Sequence, residues 1–148
     1  MRTDIAALGR EILNRLIIVG SPRTNGRSAH LANMLFETCI EECPDDELAL
    51  APVSTLNVAG CIGCDACRGN IAKLVELGEE ALDDDFAPCA IDDDMQEIYE
   101  LIDAADEITV VSPVYFAGPP SQLKALLDRL QPYYWTNARA EEKRPAVL

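Results

Sequence analysis

Apolar positions along this chain follow two rhythms. Leu16-Ile17-Ile18-Val19-Gly20 shows no polar alternation, the pattern of a strand buried on both faces of a parallel sheet. Glu47 to Val53 and Glu107 to Ser112 read as the second and third strands, and Arg144 to Leu148 as a fourth just begun. Between them the spacing turns helical. Ile5, Leu8, Ile12 and Leu16 predict a helix over Asp4 to Arg15. Leu31, Met34, Leu35 and Thr38 mark the inner face of a helix from about Ser28 to Glu42, which Pro44-Asp45-Asp46 ends. Asn70 caps a helix running to about Leu82, and the acidic turn Asp83 to Asp85 follows. Asp92 or Asp93 caps another, with Met95, Ile98, Tyr99, Ile102 and Ala105 on one stripe. A last helix spans Ser121 to Leu130, with Leu123, Leu126, Leu127 and Leu130 inward.

Strands that alternate with helices mean βαβ units, right-handed crossovers and one doubly wound α/β domain over residues 1–148. In such sheets a ligand sits outside the carboxyl ends of the strands, where the strand order reverses. The loops after strands 1 and 3 are therefore the places to look. Composition narrows the partners. With 49 % apolar and 26 % charged residues and a net charge of −14, the surface repels phosphate backbones and anionic lipid, so neither nucleic acid nor membrane is an expected partner. Leu16 to Gly20, the longest apolar stretch, is too short to span a bilayer. The N-terminus carries Asp4 and Glu11 and lacks the apolar run of a signal peptide, which makes the cytoplasm the expected location. In a reducing compartment, six cysteines point to metal or redox chemistry rather than structural disulfides.

Three constellations carry candidate chemistry. In Ser21-Pro22-Arg23-Thr24-Asn25-Gly26-Arg27-Ser28, a helix start offers backbone N–H groups to a phosphate. Gly26 lets the backbone curl closely, Ser21, Asn25 and Ser28 add side-chain hydrogen bonds, and Arg23 adds charge. It lacks the Gly-Lys-Ser/Thr of a P-loop and the Gly-x-Gly-x-x-Gly of dinucleotide folds, and a plain capped loop is the competing reading. Pro113, Val114, Tyr115, Phe116 and Gly118, with Pro119 and Pro120, form a stiff apolar rim suited to a flat ring system or to a neighbouring subunit. Cys61, Cys64 and Cys67 form a Cys-x-x-Cys-x-x-Cys loop, and a remote Cys89 would complete a [4Fe–4S] ligand set. Zinc and free thiols are the alternatives there.

Several motifs occur jointly and in order: Ser-Pro-Arg-x-x-Gly-x-Ser, Cys-x-x-Cys, Asp-Asp-Met, Ala-Asp-Glu-Ile, Ser-Pro-Val-Tyr-Phe and Gln-Leu-Lys-Ala-Leu-Leu-Asp-Arg. From Leu16 to Leu148 the chain resembles the flavodoxin-like NADPH-dependent FMN reductases and iron–sulfur flavoproteins. The resemblance implies a three-layer α/β/α flavodoxin-like sheet. It implies FMN with its phosphate on the Ser21 loop and its isoalloxazine against Pro113 to Gly118. It implies a homodimer or homotetramer with the flavin near a subunit interface. In the iron–sulfur flavoproteins the fourth cysteine follows the third closely; here Arg68 to Pro88 intervenes. The family normally continues past strand 4 to a fifth strand, whereas this sequence stops at Leu148 and carries an extra N-terminal helix.

Two functions follow as expectations. One is an FMN-dependent oxidoreductase moving electrons from NAD(P)H or a [4Fe–4S] cluster to a redox partner or small-molecule acceptor. The other is a non-enzymatic electron carrier or metal-binding interaction protein. His30, the single histidine, reads as a surface or packing residue, so Ser-His or Cys-His catalysis has little support. Cys39 and Cys43 share a helix face and read as small buried groups. Asp92 to Asp94 lack an EF-hand's spacing and read as a helix cap. Tyr133-Tyr134-Trp135 reads as a subunit interface.

Overall fold

The computed structural model describes residues 11–77, 87–135 and 146–147. Four strands, β1 (Asn14–Val19), β2 (Glu47–Pro52), β3 (Glu107–Val111) and β4 (Ala146–Val147), form one parallel sheet in the order β2-β1-β3-β4. The helices are α1 (Arg27–Glu42), α2 (Ala66–Leu77), α3 (Met95–Ala104), α4 (Ser121–Asp128) and α5 (Gln131–Trp135). This is the expected doubly wound α/β fold with flavodoxin-like strand order, and the order reverses between β1 and β3.

Leu16, Ile17, Ile18 and Val19 are all buried because β1 is central and covered on both faces. Successive side chains point to opposite faces. Leu16 and Ile18 join a core with Ala51, Val53, Met95, Ile98, Tyr99, Ile102, Leu123 and Leu126. Ile17 and Val19 meet Ala32, with Ala29, Leu35 and Phe36 packed around them. The sheet is thus sandwiched between α1 on one side and α3 with α4 on the other.

Several elements depart from their expected form. Asn14 and Arg15, expected in an N-terminal helix, belong to β1; Glu11 to Leu13 are irregular, and residues 1–10 lie outside the described residues. The cause is a set of polar ties at the amino ends of the strands. Arg15 Nε reaches Asp46 at 2.6 Å, Arg15 Nη1 pairs with Glu107, and the Asn14 N–H donates to Asp106 at 2.8 Å. Polar residues that look helical in isolation are here the paired rim of a sheet.

On α1 the buried stripe runs through Ala32 and half-buried Ala29, Leu35 and Phe36, whereas Leu31 and Met34 are 56 % and 51 % exposed and Thr38 also faces outward. Small alanines let the helix sit close to the sheet, and residues one step along turn away by about 100°. Helix α2 starts at Ala66, ahead of the expected Asn70, so Cys67 is helical; Gly78 to Leu82 and the turn at Asp83 to Asp85 lie outside the described residues. Helix α4 stops at Asp128 and turns into α5, leaving Leu127 outward at 39 % exposure. Arg144, Pro145 and Leu148, expected in strand 4, also lie outside the described residues.

Gly20 is where β1 leaves the sheet, its N–H donating to Val111 O at 2.8 Å. A Cβ here would stand 2.4 Å from Leu123 Cδ2 and 2.9 Å from Ser112 Oγ. Gly20→Ala should therefore overpack the junction of β1, β3 and α4. The expected cost is about 1–3 kcal/mol, read as a lower urea midpoint with an unchanged slope. A wild-type midpoint would show that the junction yields without cost.

Candidate functional site

All four strands are parallel, so the loops after β1, β2 and β3 gather at one end of the sheet. The first loop begins at Ser21, which is buried and whose Oγ accepts a hydrogen bond from the Arg23 N–H at 3.1 Å. Gly26 is the N-cap of α1 and makes no side-chain cap, and the first turn carries no acidic residue. The opening N–H groups of a long helix are therefore left for an outside acceptor, in the direction the helix dipole favours for an anion. A Cβ on Gly26 would lie 3.3 Å from Arg23 Cβ and 3.7 Å from Ser21 Oγ, filling the hollow of the loop. Ser28 is half-buried in the first helical turn, and Arg23 and Asn25 are exposed beside it. These features fit a phosphate.

The loop after β3 closes in a tight hairpin. The Tyr115 N–H donates to Gly118 O at 2.8 Å and the Gly118 N–H to Tyr115 O at 3.0 Å. Phe116 and Ala117 occupy its tip with φ of 45° and 61°. Two central residues with positive φ define a type I′ turn, which normally takes Asn and Gly. Bulky Phe116 in that position is strained, and such strain clusters where a chain must present itself to a ligand or partner. Val114, Tyr115 and Phe116 are exposed and Pro113 is half-buried, so this apolar rim is open.

The loop after β2 carries the cysteines. Gly63 and Asp65 have positive φ, of 65° and 57°, and curl Cys61 to Cys67 back on itself. Cys61 and Cys64 are exposed; Cys67 and Cys89 are half-buried. All four line one cleft of about 320 Å³, together with Ile91, Asp128, Arg129 and Gln131. Burial pushes the Cys67 thiol above its ordinary value, and hydrogen bonds from the Arg68 N–H and the Trp135 side chain only partly oppose this. Among the described residues, no three His, Cys, Asp or Glu side chains are drawn together as a metal site would be. The cleft thus supplies the right donors around one space without closing them on a point.

The sequence pattern of the NADPH-dependent FMN reductases matches residues 13–148. The chain belongs to this family. An iron–sulfur flavoprotein of Methanosarcina thermophila is 39 % identical over 112 residues, covering 76 % of this chain and 49 % of that protein. Another, from Methanocaldococcus jannaschii, is 36 % identical over 115 residues, covering 78 % of this chain and 50 % of its own length. The chain thus spans about half the length of the curated relatives it matches. In fold it is similar to an azoreductase from Bacillus anthracis, at a TM-score of 0.58 and 16 % identity over 80 % of this chain and 55 % of that one.

In this member of the family the cysteine cleft is braced by two residues of the quoted motifs, Arg129 and Asp93, whose pairing motif reading missed. Arg129 is 1 % exposed and grips Asp93 with both ends of its fork, Nη1 to Oδ2 at 2.8 Å and Nη2 to Oδ1 at 3.1 Å. Asp93 also accepts from the Ala59 N–H at 2.8 Å and the Met95 N–H at 3.1 Å. The N-cap of α3 is Asp94, one residue past the expected Asp92 or Asp93, and its side chain makes no cap hydrogen bond; Asp93 is instead one half of a buried ion pair that also takes the Met95 N–H. Arg129 was legible in one respect: it continues the inward stripe Leu123, Leu126 at helical spacing, where an apolar residue belongs. Tyr133 and Trp135 are likewise turned inward on their own chain. Tyr133 donates to Asp103 at 2.8 Å, and Trp135 lies 5.3 Å from the Arg68 guanidinium; only Tyr134 is largely exposed. His30 is exposed and Cys39 and Cys43 are half-buried.

Burial alone would raise the Asp93 carboxyl, but the Arg129 fork and the two N–H donors outweigh it and hold the group below its ordinary value. A depressed carboxyl contributes stability above its unfolded value of about 3.9, and that contribution is lost as pH falls through the lower folded value. Asp93→Asn should remove this acid dependence and leave a buried guanidinium uncompensated. The expected loss is about 3–5 kcal/mol at pH 7, measured by urea unfolding, shrinking below pH 4. A loss independent of pH would mean that the pair is not the source.

Proposed function

We propose that this chain binds FMN across the loops after β1 and β3 and serves as a flavin oxidoreductase. On this reading it takes electrons from NAD(P)H, or from a [4Fe–4S] cluster on Cys61, Cys64, Cys67 and Cys89, and passes them to an acceptor. The observation that carries it is the uncapped N-terminus of α1, set beside buried Ser21 and the hollow at Gly26, at the point where the strand order reverses. Membership of the FMN reductase family and the names of its iron–sulfur flavoprotein relatives support the same reading.

The roles of the residues follow from their places. Ser21, Asn25, Gly26 and Ser28 hold the phosphate through backbone and side-chain donors, and Arg23 contributes its charge from the exposed side of the loop. Pro113, Val114, Tyr115, Phe116 and Gly118 form the wall for the isoalloxazine ring and shield it from water. FMN itself supplies hydride or single-electron exchange when bound. The cysteine cleft fits a cluster in donor chemistry, with four thiols around one space and a buried donor on Arg129 that has no partner among the described residues. A homo-oligomer agrees with the exposed apolar residues Leu31 and Met34 on α1 and Phe116 at the turn. The acidic surface suits the cytoplasm; among the described residues no helix is long and apolar enough to cross a membrane.

FMN titration of the purified chain, followed by flavin fluorescence, tests the proposal. Saturable binding is expected, together with FMN-dependent oxidation of NADPH or NADH in the presence of a quinone. Asn25→Asp sets a negative charge beside the phosphate and should weaken binding by about 1–3 kcal/mol. If the chain binds no FMN, or if Asn25→Asp binds it as well as wild type, the Ser21 loop is not the phosphate site.

A further inference from the structure

The geometry points to Arg129 as the outer-sphere donor of the cysteine cleft: its free Nε–H is reserved for a sulfur of a cluster held by Cys61, Cys64, Cys67 and Cys89. This rests on the proposed cluster and goes beyond it by assigning a residue outside the cysteine motif to the cluster's charge and position. A guanidinium has five N–H donors. Here Nη1 donates to Asp93 and to Ala59 O at 3.1 Å, and Nη2 donates to Asp93 and to Ile91 O at 3.1 Å. Nε is buried and has no hydrogen-bond partner among the described residues. With the residue 1 % exposed, bulk water does not serve it, and an unmet buried donor costs about 1–3 kcal/mol. The same side chain lines the cysteine cleft.

The two carbonyls that Arg129 holds are also telling. Ala59 lies just before Cys61, and Ile91 lies just after Cys89. One fork therefore ties together the two stretches that carry the cysteines, across the whole segment from Arg68 to Pro88. Asp93 completes the clamp, since the Oδ2 that meets Arg129 also accepts from the Ala59 N–H. Thiolate-bound clusters are anionic and become more so on reduction, and hydrogen bonds to their sulfurs raise the reduction potential. A buried donor held rigidly by a carboxylate and two carbonyls is suited to that task. Lysine would keep the charge but lose the planar fork and the Nε–H.

The test uses the full chain, reconstituted anaerobically with ferrous iron and sulfide, as wild type and as Arg129→Lys. Wild type should take up about four irons per chain. In Arg129→Lys the equilibrium between reduced and oxidised cluster should shift about tenfold toward the oxidised form, a potential lower by about 59 mV for one electron. FMN titration should be unchanged. An intact cluster with an unaltered potential in the variant overturns the assignment while leaving the cluster reading in place. Wild type that takes up no iron sinks both. Should circular dichroism show Arg129→Lys unfolded, the Arg68→Lys protein grown with guanidino-15N-arginine decides the matter by pulsed electron paramagnetic resonance. A 15N coupling to the reduced cluster supports Arg129 as the donor, and its absence refutes it.

Discussion

Taking a guanidinium out of water costs several kcal/mol unless its charge and every donor find partners. In this chain that group is Arg129, and among the described residues the region around the cysteine cleft meets its charge and the donors of both Nη atoms, though not Nε. Asp93 supplies the opposite charge, and the carbonyls of Ala59 and Ile91 take two more donors. Asp94 adds to the brace by accepting from the Asn57 N–H at 2.6 Å. The start of α3, the loop after β2 and the end of α4 are thereby fixed to one another. Such a pair adds little net stability over a well-packed apolar substitute. What it secures is position: three chain segments of unrelated sequence meet in one arrangement, and the cysteines ride on two of them.

The sheet has a quieter role. Its parallel order brings three loops to one end, and its polar ties at the other end, Arg15 with Asp46 and Glu107, keep the strands in register. Regular backbone fills the core, while among the described residues the left-handed ones collect in the candidate site loops. Gly63 and Asp65 shape the cysteine loop, and Phe116 with Ala117 shapes the hairpin after β3. Strain of this kind persists only where the surroundings over-determine it. The hairpin is held by its paired Tyr115–Gly118 bridge and by the prolines that follow.

Much of this architecture is written locally. The unbroken apolar run Leu16 to Gly20 specifies a strand covered on both faces, and the stripe Met95, Ile98, Tyr99, Ile102 specifies α3, because burial of adjacent side chains needs no distant information. The order of strands and helices, and hence the loops that matter, follows from the same pattern. The joint motifs identify the family for the same reason: each is a short stretch whose chemistry is complete within itself.

Features that depend on a remote partner were not legible. The start of β1 at Asn14 depends on Asp46 and Asp106, and the inner face of α1 depends on how closely Ala32 lets the helix approach the sheet. The return of Cys89 to the Cys61 loop depends on a clamp whose halves, Asp93 and Arg129, lie 36 residues apart. The sequence by itself determined the fold class, the Gly-containing loop that opens α1, the apolar rim and the four cysteines of the cleft, all properties of neighbouring residues. Only the tertiary structure decided that the cysteines share one cleft and that a buried arginine faces it. Desolvated charge selects its partner by geometry in space, and spacing along the chain does not encode that choice.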